Sequence, residues 1–249
     1  MKLKILGSSS AGNCYVFDNG KEALVVECGV HFKEVRKVVD FDISRIVSCL
    51  VSHIHADHSK YYKSFTKNRI PVFCSCGTKS NLGIGDMFAT NNVYVLDTET
   101  TYTHGNFLII PFNIKHDAPE PFGFLIHHPE MGTTLFATDT IYLEYTFEGL
   151  NNILIECNYR QDILDRSVEA GSVPKAQRDR TIQSHMSYER CLNTLLANNL
   201  SAVNNIVLIH LSEGNSNALE FEQGIREATG KTVHIAEKGM ILEFNKTPF

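Results

Sequence analysis

Ser52-His-Ile-His-Ala-Asp-His-Ser59 follows directly on the apolar run Ile46-Val-Ser-Cys-Leu-Val51. It holds His53, His55, Asp57 and His58, the pattern H-x-H-x-D-H. Three imidazoles and a carboxylate packed so closely are costly unless a cation sits among them. Borderline divalent metals such as zinc accept both imidazole nitrogen and carboxylate oxygen. Spacing divides the set. Residues two apart in extended chain point to the same side, so His53 and His55 fall together, whereas the adjacent Asp57 and His58 need a turn. One small shell does not easily take all four, and the stretch reads as parts of two neighbouring metal sites. The strand-like run before it, and the helix-like Lys60-Tyr-Tyr-Lys-Ser-Phe65 after it, argue against a mere surface histidine cluster.

Three later residues occupy the same kind of place. His116 lies in Ile114-Lys-His-Asp117, after Phe107-Leu-Ile-Ile-Pro-Phe112. Asp139 ends Leu135-Phe-Ala-Thr-Asp139, and His210 ends Ile206-Val-Leu-Ile-His210. Each is expected to project from a strand end. With these positions filled in order, the chain resembles the metallo-β-lactamase-fold hydrolases along nearly its whole length. The resemblance implies an α/β fold, an αββα sandwich of two mixed β-sheets with outer helices. It also implies two divalent metal ions, zinc first and manganese as the alternative. In the family pattern the first ion takes His53, His55, His116 and Asp139. The second takes Asp57, His58, Asp139 and His210, with Asp139 bridging. Glu27, in Val25-Val-Glu-Cys-Gly29, stands where many members carry Asp, and is placed to support a ligand histidine from behind.

The 249 residues are long enough for a well-buried core and read as one domain, residues 1–249. A formal net charge of −5 gives no overall attraction to polyanions or anionic membrane. No apolar run approaches the ~20 residues of a membrane helix. The opening Met1-Lys-Leu-Lys-Ile-Leu-Gly7 reads as a first strand rather than a secretion signal. Seven scattered cysteines, an odd number, suit reduced thiols, so a cytoplasmic location is expected, the host cytoplasm if the gene is phage-borne. Cys74-Ser-Cys76 has no second Cys pair to complete a metal clip and reads as buried strand packing.

Strands are expected at Lys2–Leu6, Cys14–Phe17, Ala23–Glu27, Ile46–Val51, Pro71–Ser75, Val93–Asp97, Phe122–His127, Thr133–Phe136, Asn152–Glu156, Ile206–Ile209, Val233–Ile235 and Met240–Phe244. Helices are expected at Phe32–Val39, near Lys79–Leu82, at Tyr188–Asn198 and at Ala218–Thr229. Lys175-Ala-Gln-Arg-Asp-Arg180, the densest basic stretch, carries an acid within it and reads as a solvated loop or helix face.

His185 lies in Gln183-Ser-His-Met-Ser187, ahead of a helix. In the phosphodiesterase branch of the resembled fold, a histidine in this context protonates the leaving group. With Asp57 orienting the attacking water, Asp57 and His185 are the expected catalytic pair. An alkoxide is a poor leaving group and needs that proton, which favours phosphodiester hydrolysis over β-lactam or thioester chemistry. The chain has no long basic tract, no β-CASP-type inserted domain and no long Gly/Pro-rich arm for transfer RNA. A small nucleotide is therefore expected as substrate rather than a polynucleotide. Gly7-Ser-Ser-Ser-Ala-Gly-Asn13, Ile155-Glu-Cys-Asn158 and His210-Leu-Ser-Glu-Gly-Asn215 extend the resemblance to the phage anti-Pycsar proteins. That similarity implies cyclic CMP or cyclic UMP as substrate. A homodimer is expected on a separate ground, a second protomer adding basic residues of the 160–180 region to a shared pocket. A DNA or RNA exonuclease, whose small cellular forms share this opening loop, is the alternative. A non-catalytic protein that sequesters a nucleotide is the alternative of another class, and a thioesterase or lactonase a third.

Overall fold

The computed structural model describes residues 1–82 and 91–247. Strands β1 (Lys2–Gly7), β2 (Cys14–Asp18) and β3 (Ala23–Val26) form an antiparallel meander, followed by helix α1 (Phe32–Val38) and β4 (Ile46–Leu50). Two short helices, α2 (Ala56–Ser59) and α3 (Tyr62–Lys67), lead to β5 (Val72–Cys74), α4 (Cys76–Leu82) and β6 (Val93–Val95). Then come β7 (Tyr102–His104), β8 (Phe107–Asn113), β9 (Phe122–His128), β10 (Gly132–Ala137) and β11 (Leu150–Glu156). Helices α5 (Gln161–Glu169), α6 (Lys175–Ser184) and α7 (Tyr188–Ala197) precede β12 (Asn205–Ile209), α8 (Ala218–Thr229), β13 (Thr232–Ile235) and β14 (Ile241–Glu243).

Two seven-stranded sheets result, ordered β14-β1-β2-β3-β4-β5-β6 and β13-β12-β11-β10-β9-β8-β7. Each is mixed, with antiparallel pairing on one side (β14 to β3, β7 to β10) and parallel pairing on the other (β3 to β6, β10 to β13). This is the expected αββα sandwich. Strand alternation sorts the side chains into layers. Leu3, Ile5, Tyr15 and Phe17 of the first sheet meet Phe107, Phe124 and Phe136 of the second. The opposite faces pack under helices: Val16 and Val25 with Phe32, Val35 and Phe65 on one side, and Ile153 and Leu208 with Leu195, Phe221 and Ile225 on the other.

Local chemistry sets several boundaries. Ser187 caps α7 by accepting from Arg190 N, and Asn217 caps α8 by accepting from Glu220 N. Gly230 ends α8 in the left-handed conformation, where the missing Cβ removes the strain. β3 stops at Val26, one residue short of the expected end, because Glu27 turns the chain with φ 69°. Lys175–Arg180 is the helix face of its two expected states, opening α6 beside the mouth of the sandwich, whereas nothing in the sequence marked α5. One expectation needs correction. Cys76 is exposed at the start of α4, although its neighbour Cys74 is buried in β5.

The loops after β3, β4, β8, β10, β11 and β12 gather at one end of the sandwich. Their packing is close where Gly29 passes the motif loop. Cys28 N donates to His58 O at 2.7 Å, Asn13 N to Asp57 O at 2.7 Å, and Gly29 N to Asn13 O at 3.0 Å. A Cβ at Gly29 would stand 1.6 Å from Asp57 O, a backbone atom that cannot swing aside. Gly29→Ala should therefore cost about 1–3 kcal/mol, the usual range for overpacking, and lower the urea midpoint. An unchanged midpoint would show that the motif loop yields freely.

Candidate metal centre

The loop after β4 carries His53, His55, Asp57 and His58, with His55 starting the turn of α2. The second sheet supplies His116 after β8, Asp139 after β10 and His210 after β12. All seven sequence-predicted donors come together at the mouth. Asp139 and His210 have left-handed backbones, φ 47° and 55°, as Glu27 does. Such conformations cost non-glycine residues energy and recur at functional sites. Here they turn the chain sharply at strand ends.

The donors form two sets that share Asp139, each lying within 4.8 Å of one another. In the first, His55 Nδ1 is 3.1 Å from both His53 Nε2 and His116 Nε2. Asp139 Oδ2 is 3.7 Å from His53 Nε2 and 3.5 Å from His116 Nε2. In the second, His58 Nε2 is 3.2 Å from Asp57 Oδ2 and 3.4 Å from Asp139 Oδ2, and His210 Nε2 is 3.4 Å from Asp57 Oδ2. A tetrahedral shell with bonds of about 2.0–2.2 Å spaces its donors by about 3.3–3.6 Å. The residues fit a pair of divalent cations. His116 Nδ1 lies 2.8 Å from Ser184 O, a carbonyl that only accepts, so a neutral His116 turns its Nε2 lone pair toward the donors.

The two sets differ in proton content. Burial, with the charge of His58 nearby, pushes His53 well below the ordinary histidine range, and burial lowers His116 as well. Burial opposes charge on His58 too, but Asp139 and Glu27 outweigh it and hold its pKa well above the ordinary value. His210 follows the same pattern: burial is overcome by Asp139, Asp57 and Glu156, and the pKa is raised to about 10. Asp57 and Asp139 resist the upward push of burial and stay well below the carboxylate range, Asp57 through hydrogen bonds from His210 and His58, Asp139 through the charges of the same two histidines.

Behind the donors stand Glu27, expected from the sequence to support a ligand histidine, and two groups that the sequence did not mark, Glu156 and Asn13. Glu156, fully buried at the end of β11, places Oε1 2.7 Å from His185 Nδ1 and 3.2 Å from His210 Nδ1. Its Oε2 accepts from Thr140 N at 2.9 Å and Met186 N at 3.1 Å. The signal was present, a carboxylate closing the apolar run Ile153–Ile155 of β11, as Asp139 follows the apolar end of β10. Asn13 Nδ2 donates to Asp57 Oδ2 at 3.2 Å, which makes the opening Gly/Ser loop part of the site. Glu27 stands behind His58, with Oε2 3.5 Å from Nδ1. Arg180 of α6 bonds Asp117 at 2.9 Å, and Asp117 lies 3.2 Å from His116 Nε2.

His185 caps the end of α6 and faces the cleft over the donors, a space of about 440 Å³ lined also by Ser10, Gln177, Arg180 and Thr181. A larger cleft, about 860 Å³, lies between α5 and the start of α8 and contains none of the donors. Volume alone does not locate the chemistry.

The profile of the Metallo-beta-lactamase superfamily matches residues 9–146. Exodeoxyribonuclease WalJ of Streptococcus pneumoniae is 25% identical over 237 residues, covering 86% of this chain and 83% of that protein. Exodeoxyribonuclease YycJ of Bacillus anthracis is 25% identical over 174 residues, 66% of this chain and 65% of its own length, just under two thirds. Among solved structures, the metallo-beta-lactamase fold protein YhfI from Bacillus subtilis superposes with a TM-score of 0.72 at 16% identity, covering 97% of this chain and 99% of that one.

The proton asymmetry has a measurable consequence. Imidazole must be neutral to ligate. Raised pKa values keep His58 and His210 protonated at pH 7.5, while His53 and His116 are already neutral. Metal-free stability drawn from His210 is present below its unfolded pKa of about 6.5 and is lost as pH rises through about 10. Cation affinity of the second set runs the opposite way and strengthens with pH. Titrating zinc calorimetrically in two buffers of different ionisation heat should show proton release concentrated in the second equivalent. Equal release in both equivalents would refute the asymmetry.

Proposed function

The chain belongs to the metallo-β-lactamase superfamily, and from that premise we propose that it is a two-metal phosphodiesterase that removes nucleotides from DNA ends. The observation that carries the reading is the Glu156–His185 pair, 2.7 Å apart and beside both donor sets. Burial opposes charge on His185, but Glu156 outweighs it and raises its pKa, which favours the protonated ring a general acid needs. With Nδ1 held by Glu156, Nε2 is the nitrogen left to deliver that proton. The exodeoxyribonuclease relatives support DNA as the substrate.

Bound in the two sets, divalent cations would lower the pKa of water and neutralise charge growing on the phosphoryl oxygens. The protein's own part is positioning. Asp57, fixed by Asn13, orients the attacking water, and the water oxygen bonds to phosphorus as the ester bond opposite breaks. His185 passes its proton to the departing oxygen. A protein that merely sequestered nucleotides would need no such donor.

The second reading, hydrolysis of cyclic CMP or cyclic UMP as the anti-Pycsar resemblance implies, has its own support. Arg180, the arginine that lines the donor cleft, is paired with Asp117, leaving little free positive charge there for a polymer. The 440 Å³ cleft also lies within the about 300–1,000 Å³ usual for a single small ligand.

Turnover of linear DNA, RNA and cyclic mononucleotides with added zinc or manganese tests both. The first reading expects mononucleotide release from DNA ends that weakens steeply with salt. Rapid, salt-tolerant opening of cyclic CMP or cyclic UMP with intact DNA would install the second. His185→Ala should retain its metals and lose about 10²–10⁴-fold in rate. The loss should shrink on bis-p-nitrophenyl phosphate, whose nitrophenolate leaves unprotonated. Equal losses on both substrates would place the acid elsewhere.

A further inference from the structure

On the His185 and His210 side of the donors, a hollow of about 530 Å³ opens off the cleft. Its wall comes from the opening loop (Ser9, Ser10), from α6 (Gln177, Thr181) and from the loop after β12 (Ser212, Asn215). Among the described residues it has no Lys or Arg, and apart from the two histidines its one ionisable group is Glu213. The other side of the centre differs in charge. Arg180 lines the cleft and, with Lys115 and its own ion-pair partner Asp117, a hollow of about 330 Å³ beside His116, so that side is ionic where this one is neutral. A neutral wall of hydroxyls and amides suits an uncharged, hydrogen-bonding group.

Asn215 adds an independent sign. It is 6% exposed, and its Nδ2 donates to Ser212 Oγ at 3.0 Å, yet its Oδ1 has no hydrogen-bond partner. Among the described residues only His58 Nδ1 and Thr134 Oγ1 share that condition. The loop is not loose: Arg160 N donates to Asn215 O at 3.0 Å, Ser212 N to Asn158 O at 2.9 Å, and His210 N to Ser8 Oγ at 2.9 Å. A fixed, buried acceptor without a donor is costly, and a ligand N–H or O–H would satisfy it.

We propose that this hollow seats the leaving nucleoside, with Asn215 Oδ1 accepting from a sugar hydroxyl or a base N–H. The assignment rests on the phosphodiesterase reading and gives the cleft a direction. Water oxygen bonds to phosphorus and loses a proton to solvent, the ester P–O bond breaks, and His185 protonates the released oxygen. His185 borders both spaces, so the sugar attached to that oxygen lies on the hollow's side.

Two esters test the direction. Thymidylyl-thymidine releases a nucleoside, whereas thymidine 5′-(p-nitrophenyl phosphate) releases nitrophenolate. In Asn215→Ala the ratio of kcat/KM for the first over the second should fall about five- to tenfold, the worth of one hydrogen bond, mainly through KM. Gln177→Ala, at an exposed position that does not threaten the fold, should lower the same ratio. An equal fall on both esters would overturn the proposal and make Asn215 a loop brace, leaving the phosphodiesterase reading intact. Saturation-transfer NMR with thymidine alone gives a readout free of turnover. Wild type should show transfer and Asn215→Ala should lose it. If neither ester is cleaved, the phosphodiesterase reading fails, and the thymidine signal decides the seat alone: its absence from wild type overturns it.

Discussion

One buried carboxylate, Asp139, is the constraint to which the mouth of the sandwich is built. It is 2% exposed and faces imidazoles that reach it from both sheets. Burial of an anion is tolerable only when opposite charge surrounds it. The left-handed turn at Asp139, the close passage of Gly29 beneath the motif loop and the Glu27 brace behind His58 all serve that convergence. Removing any of them would leave the carboxylate with a worse-fitting shell. The sheets are thus joined twice, by an apolar interior rich in phenylalanine and by a polar clasp at one end.

Much of this was legible in the chain. Asp139 and His210 each close an apolar β-run, and a polar ionisable residue in that position announces a strand-end site. The strands themselves were readable because those in the middle of each sheet are buried on both faces and appear as unbroken apolar stretches. One helix was missed and another was left open between loop and helix for the same physical reason. α6, Lys175-Ala-Gln-Arg-Asp-Arg-Thr-Ile-Gln-Ser184, buries only Ser184 and so has no apolar stripe to betray it. α5 buries only Leu164. Glu156 was visible as a residue but not as a function, because its partners His185 and His210 lie on separate elements that only the fold brings within reach.

Helix α6 gives the cleft its two-sided character. α6 contributes Arg180 toward the His116 side, Gln177 and Thr181 toward the neutral hollow, and ends at His185 itself. Its low apolar content is what frees it for that work. A helix committed to the core would have had fewer faces to offer a substrate.

The division of the donors between sheets has a consequence for synthesis. Four of them lie in one short stretch after β4, so a ribosome exposes them early. The remaining three follow β8, β10 and β12, and β14, which completes the first sheet, comes last. A nascent chain paused after β6 would hold half of each cation shell beside the bare inner face formed by Leu3, Ile5 and Phe17. Such partly made sheets are prone to aggregate. Synthesis of β8 to β12 thus covers the sticky face and supplies the missing donors of both cation shells in one stretch of chain.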